Sequence, residues 1–133
     1  MKMNEQKEVG LIKNFFNKCK YSLDGLDYCF KNESSFVIVT LTSSLIIVLG
    51  VIFDLSFMEW IASMGSMALV LIVELINTAI EATVDMVTSE YNPYAKIAKD
   101  CGSAATGMMG ILAAIANMII FFPYIIKWLI SLF

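Results

Sequence analysis

The stretch "VELINTAIEATVD", from Val73 to Asp85, decides the fold of this chain because it places acidic residues inside a membrane-spanning pattern. The run from Trp60 to Val73 before it has no charge and little polarity, which predicts a helix that crosses a membrane. Four polar residues then continue the same helix: Glu74, Asn77, Glu81 and Asp85. An ionisable side chain in lipid is costly, so this face of the helix must meet protein or water.

The composition indicates an integral membrane protein with a single domain. Its 133 residues are 59% hydrophobic and 16% charged, against about 25% charged residues in a typical soluble domain. The net charge of −3 argues against a nucleic-acid partner. Histidine is absent, so any general base must be a carboxylate, lysine, cysteine or tyrosine. The three cysteines form no paired motif, and we interpret them as reduced and structural.

Hydrophobic periodicity predicts an all-α membrane protein. In the N-terminal segment, apolar residues recur every three or four positions and polar residues occupy the other face. We expect this segment to lie on the membrane surface, with packing against other protein as the alternative. Residues 1–6 lack the pattern and are expected to be disordered. The predicted elements of the single domain 1–133 are a surface helix over 7–32 and transmembrane helices over 34–53, 57–88 and 100–122.

The lysines predict the orientation of the chain in the membrane. Six of the nine precede residue 32, two lie in the loop 89–100, and none lies in the turn between the first two membrane helices. By the positive-inside rule, the N-terminus and the second loop are expected in the cytoplasm and the C-terminus outside. The polar N-terminal segment lacks the apolar core of a cleavable signal peptide, so the first membrane helix is expected to stay in the membrane.

The polar residues of the opening stretch form one stripe along their helix. Measured from Glu74, positions 77, 81 and 85 fall at roughly −60°, −20° and +20° around the axis. Glu74 lies roughly 21 Å along the axis from Trp60, near the inner edge of the hydrocarbon. Three residues at the ends of neighbouring helices are expected at the same membrane level. The predicted interfacial site is therefore Glu33, Glu74, Asn77, Glu81, Asp85, Lys99 and Asp100.

Such a cluster has the parts for phosphoryl transfer to an alcohol. Carboxylate and amide oxygens suit Mg²⁺, and a lysine suits a phosphate. A remaining carboxylate could take the proton of a hydroxyl group, while positioning and charge neutralisation do the rest. The sequence contains neither a P-loop nor a protein-kinase motif. The alternative interpretation is a polar network at helix ends that holds an oligomer together.

Several motifs resemble those of the small prokaryotic diacylglycerol kinases. They are "NESSF" (32–36), "VELINTAIEATVD" (73–85), "SEY" (89–91), "AKDCGSAA" (98–105) and the "YS-x-x-GL" pattern (21–26). The resemblance covers about residues 18–110. It implies an integral membrane kinase that uses Mg–ATP to convert diacylglycerol to phosphatidic acid. It also implies a homotrimer, with active sites between neighbouring chains at the cytoplasmic interface of the inner membrane.

The same resemblance implies a role for each candidate residue. Glu74 would be the general base at the lipid hydroxyl, Glu33 and Glu81 would hold the metal, and Ser103 would touch the lipid head region. Asn77 and Asp85 would support the site. The nucleotide contacts would come from Tyr21, Glu33, Glu81, Glu90, Tyr91, Asn92, Lys99 and Asp100.

The chain departs from the family pattern in its cations. Typical members carry an arginine on the surface helix where this chain has Asn14, and Arg-Gln where it has Val37 and Ile38. This chain has no arginine at all. The missing charge would have to come from a lysine of the surface helix, although a lysine lacks the planar fork of arginine. The candidates are Lys13, Lys18 and Lys20.

Three alternatives to a diacylglycerol kinase remain open at the level of sequence. A sister branch of the family phosphorylates undecaprenol, and "NPYAKIAKD" favours it, whereas "SEY" and "KDCGSAA" favour diacylglycerol. A small transporter could use Glu74 to couple proton and cation movement, although such an acid is expected near the membrane midplane. A non-catalytic membrane assembly factor is the third alternative.

Overall fold

The computed structural model describes the backbone over residues 2–132 and the side-chain surroundings over 13–132. No strand occurs in that part of the chain, which confirms the all-α prediction. The helices are α1 (Lys2–Asn32), α2 (Ser34–Ile52), α3 (Phe57–Val87) and α4 (Pro93–Ile130). Three of them, α2, α3 and α4, are long and apolar enough to cross a membrane.

The chain forms two compact units, and the first ends at Ser34. This unit contains α1, which begins at Lys2, so the expectation of disorder is wrong for residues 2–6; residue 1 lies outside the described part. The segment has no glycine or proline before Gly10, and most of its residues favour helix. In the last turns of α1, Lys31 Nζ pairs with Asp27 Oδ2 at 2.6 Å.

The second unit begins at Ser35 and contains α2, α3 and α4. Its buried centre is formed by Met67 and Val70 of α3 and Ala113 of α4, with Val39 and Ile46 of α2 packed against them. The buried residues of α3 recur every three or four positions: Ser63, Met67, Val70, Glu74 and Thr78. An acidic residue therefore continues the same helix face that builds the apolar core.

Polar contacts join α3 to α4 at the end of the unit away from the acid stripe. Glu59 Oε2 accepts hydrogen bonds from the backbone N–H of Ser56 (2.8 Å) and from the hydroxyl of Tyr124 (2.8 Å). Deeper in the helix pair, Asn117 accepts from Ser63 (2.5 Å) and donates to Ser66 (3.0 Å). Polar groups inside a membrane need such partners, so these contacts stabilise the helix pair.

α4 begins earlier and ends later than the predicted span 100–122. Asn92 caps its start, because the Asn92 side chain accepts from the N–H groups of Tyr94 (2.8 Å) and Ala95 (3.4 Å), and Pro93 suits the first helical position. Beyond residue 122 the helix continues through Pro123 to Ile130. Proline removes one backbone donor, but a helix still satisfies the other backbone groups in an apolar environment. The ends of α2 and α3 differ from prediction by one residue each.

Candidate active site

Glu74 is a buried carboxylate on the core face of α3. The residue is only 8% exposed, although it lies on a helix that could span a membrane. Its Oε2 atom accepts a hydrogen bond from the hydroxyl of Ser35 on α2, over 3.1 Å. Within the unit that begins at Ser35, no lysine lies within ion-pair distance of this carboxylate. Within this unit Glu74 thus has a neutral hydroxyl neighbour and no counter-ion, and it can accept a further hydrogen bond.

Asn77 and Glu81 continue the stripe one and two turns after Glu74. The Asn77 Nδ2 atom donates to Glu81 Oε1 over 2.9 Å. The Asn77 Oδ1 atom is buried and has no hydrogen-bond partner among the described residues. It lies against Gly102 of α4, where a Cβ atom would come within 2.1 Å of it. Because Gly102 has no side chain, the Asn77 amide has enough space to face Glu81.

A concave surface lies at the connection between α3 and α4, and the space that it encloses has a volume of about 490 Å³. Two ion pairs contribute to its wall. Lys99 Nζ contacts Asp85 Oδ1 at 2.6 Å and so links the two helices, while Lys96 pairs with Asp100 along α4. The lining residues are Val84, Asp85, Thr88, Ser89, Glu90, Tyr91, Asn92, Ala95, Lys96, Lys99 and Asp100. We call this concave surface, with these residues, the connection pocket.

The structure brings most of the sequence-predicted residues into two groups on α3, α4 and the segment between them. The inner group is Glu74, Asn77 and Glu81, and hydrogen bonds join Glu74 to Ser35 and Asn77 to Glu81. The second group lines the connection pocket: Asp85, Glu90, Tyr91, Asn92, Lys99 and Asp100. Acids and a lysine of the predicted set therefore lie together at one end of these helices.

Three predicted residues lie outside these groups. Tyr21 and Glu33 belong to the unit that ends at Ser34, so their part in the site stays a prediction. Tyr21 is 67% exposed and lines a shallow surface of α1 with Lys18, Asn14 and Asn17. Glu33 follows α1, and its backbone N–H donates to the Cys29 carbonyl oxygen at 2.9 Å. Ser103 is exposed on α4 and does not line the connection pocket.

Sequence reasoning missed three residues that contact or adjoin the candidates. Ser35 bonds Glu74, Gly102 makes room for Asn77, and Lys96 lines the connection pocket. Ser35 lies within the "NESSF" motif, two residues after Glu33, which is the one signal that pointed to it. Gly102 lies within the "AKDCGSAA" motif, which gave no sign of its contact with Asn77.

The described residues include no group of three or more acidic, histidine or cysteine side chains that could hold a metal ion. Mg²⁺ in nucleotide sites, however, is usually bound by one or two carboxylates together with phosphates and water. Glu81 suits such a role, because Asn77 contacts only its Oε1 atom and the residue is half-buried. The residues therefore fit a Mg²⁺ ion that arrives with a nucleotide rather than one held by protein alone.

Comparison with known proteins assigns one family to the part of the chain that contains both groups of predicted site residues. The family described as "Prokaryotic diacylglycerol kinase" matches residues 20–121. A diacylglycerol kinase of Pseudomonas aeruginosa is 42% identical over 94 residues, which cover 71% of this chain and 76% of that protein. The diacylglycerol kinase of Escherichia coli is 36% identical over 104 residues, covering 78% and 85%. An undecaprenol kinase of Bacillus subtilis is 29% identical over 112 residues, covering 84% and 91%.

Proposed function

This chain belongs to the prokaryotic diacylglycerol kinase family, and we propose that it phosphorylates its lipid with Mg–ATP at the acid stripe of α3. It is an integral membrane lipid kinase, a phosphotransferase that acts on diacylglycerol. The product of γ-phosphoryl transfer to diacylglycerol is phosphatidic acid. The observation that carries the assignment to this site is the buried Glu74 carboxylate, which already accepts a hydrogen bond from an alcohol group.

Glu74 is proposed as the general base. A base must lie within hydrogen-bond distance of the hydroxyl whose proton it takes. The Ser35 hydroxyl meets this geometry at 3.1 Å, and the hydroxyl of a lipid is the same chemical group. Within the unit of α2, α3 and α4 the carboxylate has no counter-ion, so no lysine of that unit competes with the lipid hydroxyl for it. Ser103 is proposed to touch the lipid head region.

The connection pocket is proposed to receive the nucleotide. Phosphoryl transfer depends mainly on positioning and charge neutralisation, and Lys99 of this pocket can supply charge. Lys99 is held by Asp85 at the wall of the pocket. Glu81, with Glu33, is proposed to hold Mg²⁺, which neutralises phosphate charge when it is bound. Asp100, Glu90, Tyr91, Asn92 and Tyr21 are the other proposed nucleotide contacts.

We further propose a homotrimer with active sites between neighbouring chains, and cytoplasmic sides for α1 and the α3–α4 connection. Support for the topology comes from the lysines, because six of nine lie in α1 and two, Lys96 and Lys99, lie in the first two turns of α4, directly after the connection. Support for a shared site comes from the family resemblance. On this arrangement the C-terminus lies outside the inner membrane, and ATP reaches the connection pocket from the cytoplasm.

Undecaprenol is the second candidate acceptor, because a Bacillus subtilis undecaprenol kinase aligns with 84% of this chain. Both lipids offer a primary alcohol at the interface, so the chemistry would be the same. The test is an assay with ATP and Mg²⁺ that compares the two lipids in the same bilayer. Faster turnover of diacylglycerol supports the proposal, and a clear preference for undecaprenol would replace the acceptor. If the protein consumed ATP with neither lipid, this result would argue against a kinase and favour a transporter or assembly role.

A further inference from the structure

Two lysines line the connection pocket, and only Lys99 has a role in the nucleotide site proposed above. Lys96 lies one turn before it on α4, and both ammonium groups are held by aspartates, Asp100 and Asp85 respectively. The Lys96 side chain is 59% exposed and the Lys99 side chain 37%. Both lysines can therefore be reached by a ligand in the pocket without any movement of α3 or α4.

Helix stability does not explain the position of Lys96. It lies in the first turn of α4, after the capping residue Asn92, where the helix dipole disfavours a cation. In its pair with Asp100 the cation comes first in the sequence. An ion pair between residues four apart stabilises a helix less in this order than when the acid comes first. The pair of Asp27 and Lys31 shows the opposite features, because the acid comes first and Lys31 lies in the last turn of α1.

The same position is suited to an anion. The first turn of α4 and two ammonium groups offer positive charge to an anion here, while the carboxylates of the lining, Asp85, Glu90 and Asp100, face a ligand that brings Mg²⁺ with its phosphates. The Asn92 side chain already occupies the N–H groups of Tyr94 and Ala95, so these donors are not available to a ligand. Binding of a phosphate would therefore depend on the lysine side chains rather than on the end of the helix.

We propose that Lys96 is a second phosphate-binding residue of the nucleotide site, and that it exchanges Asp100 for a phosphate oxygen when Mg–ATP binds. The inference rests on the proposed function. The ammonium group is paired before and after the exchange, so binding does not leave it without a partner. The exchange also frees the Asp100 carboxylate, which can then face the rest of the nucleotide or its Mg²⁺ ion.

The experiment compares Lys96→Gln with Lys96→Arg and with the matched control Lys31→Gln, which removes the lysine of the other exposed pair with this spacing. Initial rates are measured at saturating diacylglycerol and Mg²⁺ while ATP is varied. We expect Lys96→Gln to raise the KM for ATP by about two- to fivefold, the range of an exposed charge contact, with little change in kcat. Lys96→Arg should stay close to the unchanged protein, and Lys31→Gln should not alter the KM.

Thermal unfolding of the same variants gives a readout that separates binding from helix support. If Lys96 serves the nucleotide, Lys96→Gln should leave the midpoint unchanged or slightly raised, because it removes a cation from the first turn of α4. A lowered midpoint with an unchanged KM would show that the pair supports the helix and would overturn the inference. An equal rise in KM for Lys31→Gln would also overturn it, since the effect would then be one of general surface charge.

Direct titration with Mg–ATP in the absence of lipid distinguishes this inference from the proposed function. If the unchanged protein binds ATP and Lys96→Gln binds it equally well, the role of Lys96 fails while the kinase assignment stands. If the unchanged protein neither binds ATP nor phosphorylates lipid, the proposed function itself fails. Weaker binding by Lys96→Gln alone, restored in Lys96→Arg, supports the inference.

Discussion

The hydroxyl of Ser35 on α2 donates a hydrogen bond to the carboxylate of Glu74 on α3 over 3.1 Å. This contact joins two helices at Glu74, the first acid of the stripe in the sequence, and it orients the carboxylate. We expect Ser35→Ala to lower kcat by up to about tenfold, the effect of one neutral hydrogen bond. The KM for ATP should not change, because Ser35 does not line the connection pocket.

Ser34→Ala is the matched control for Ser35→Ala. Ser34 is the neighbouring residue and is exposed, whereas Ser35 is the serine that donates to Glu74. Steady-state kinetics in mixed micelles would give kcat and KM for both variants. If Ser34→Ala and Ser35→Ala behave alike, the contact does not orient the carboxylate, and Ser35 is only a helix-contact residue.

Glu74→Gln tests the general base directly. The amide has nearly the shape of the carboxylate and can still accept the hydrogen bond of Ser35, so the fold should be kept. An amide cannot take the proton of the lipid hydroxyl, and we expect kcat to fall by about a hundredfold or more. Binding of Mg–ATP, measured by titration, should be retained. Turnover near that of the unchanged protein would exclude Glu74 as the base.

The helical pattern was sufficient to predict the acid stripe, because residues three and four apart must share a helix face whatever the partner helices do. It could not predict the Ser35 contact, since that depends on how α2 is rotated against α3. The pattern also missed the start of α4 at Pro93, because a proline and two lysines within residues 93–99 are typical of a loop, and the cap at Asn92 becomes visible only in the structure. The spacing of residues in the sequence identifies neither the place of Lys96 in the connection pocket nor the contact of Gly102 with Asn77.

Glu81→Gln tests the proposed metal ligand. A glutamine side chain retains an oxygen that can accept from Asn77, so the contact seen at 2.9 Å should survive. The charge that would attract Mg²⁺ is lost, and we expect the Mg²⁺ concentration for half-maximal activity to rise by at least about tenfold. Activity as a function of Mg²⁺ at fixed ATP is the measurement. An unchanged Mg²⁺ dependence would contradict a role for Glu81 at the metal.

Gly102→Ala tests the close approach of α4 to Asn77. The added Cβ would lie 2.1 Å from Asn77 Oδ1 and 3.2 Å from its Cγ, so the amide must turn and its bond to Glu81 should break. Overpacking of this kind costs about 1–3 kcal/mol. We therefore expect a lower unfolding midpoint together with a raised Mg²⁺ requirement.

The matched control for Gly102→Ala lies on the same helix. A Cβ at Gly107 would meet nothing within 4 Å, and alanine is the better helix former by about 1 kcal/mol. Gly107→Ala should therefore be neutral or slightly stabilising, with unchanged activity. Equal losses of stability in the two variants would show that α4 needs flexible backbone, and that the Asn77 contact is not the cause.

Mixed oligomers test whether Glu33 and Glu74 of one site come from different chains. Glu33→Gln and Glu74→Gln chains, each expected to be inactive alone, would be refolded together in equal amounts. In a cyclic trimer with sites between neighbours, every mixed trimer contains one interface where both acids are intact. Random mixing should then restore about a quarter of the activity of the unchanged protein, since about three quarters of trimers are mixed and each has one working site in three.

If each site were built within one chain, no site in the mixture would carry both acids and activity would stay at the level of the separate variants. Refolding each variant alone under the same conditions is the control for losses in handling. Activity near one quarter would support a site shared between neighbouring chains. It would not report the number of chains, because random mixing gives one quarter in a cyclic assembly of any size, so the trimer needs a separate measurement of the assembled mass. Activity that remains at the level of the separate variants, with each chain shown to refold and to assemble with the other, would place Glu33 and Glu74 of a site in the same chain.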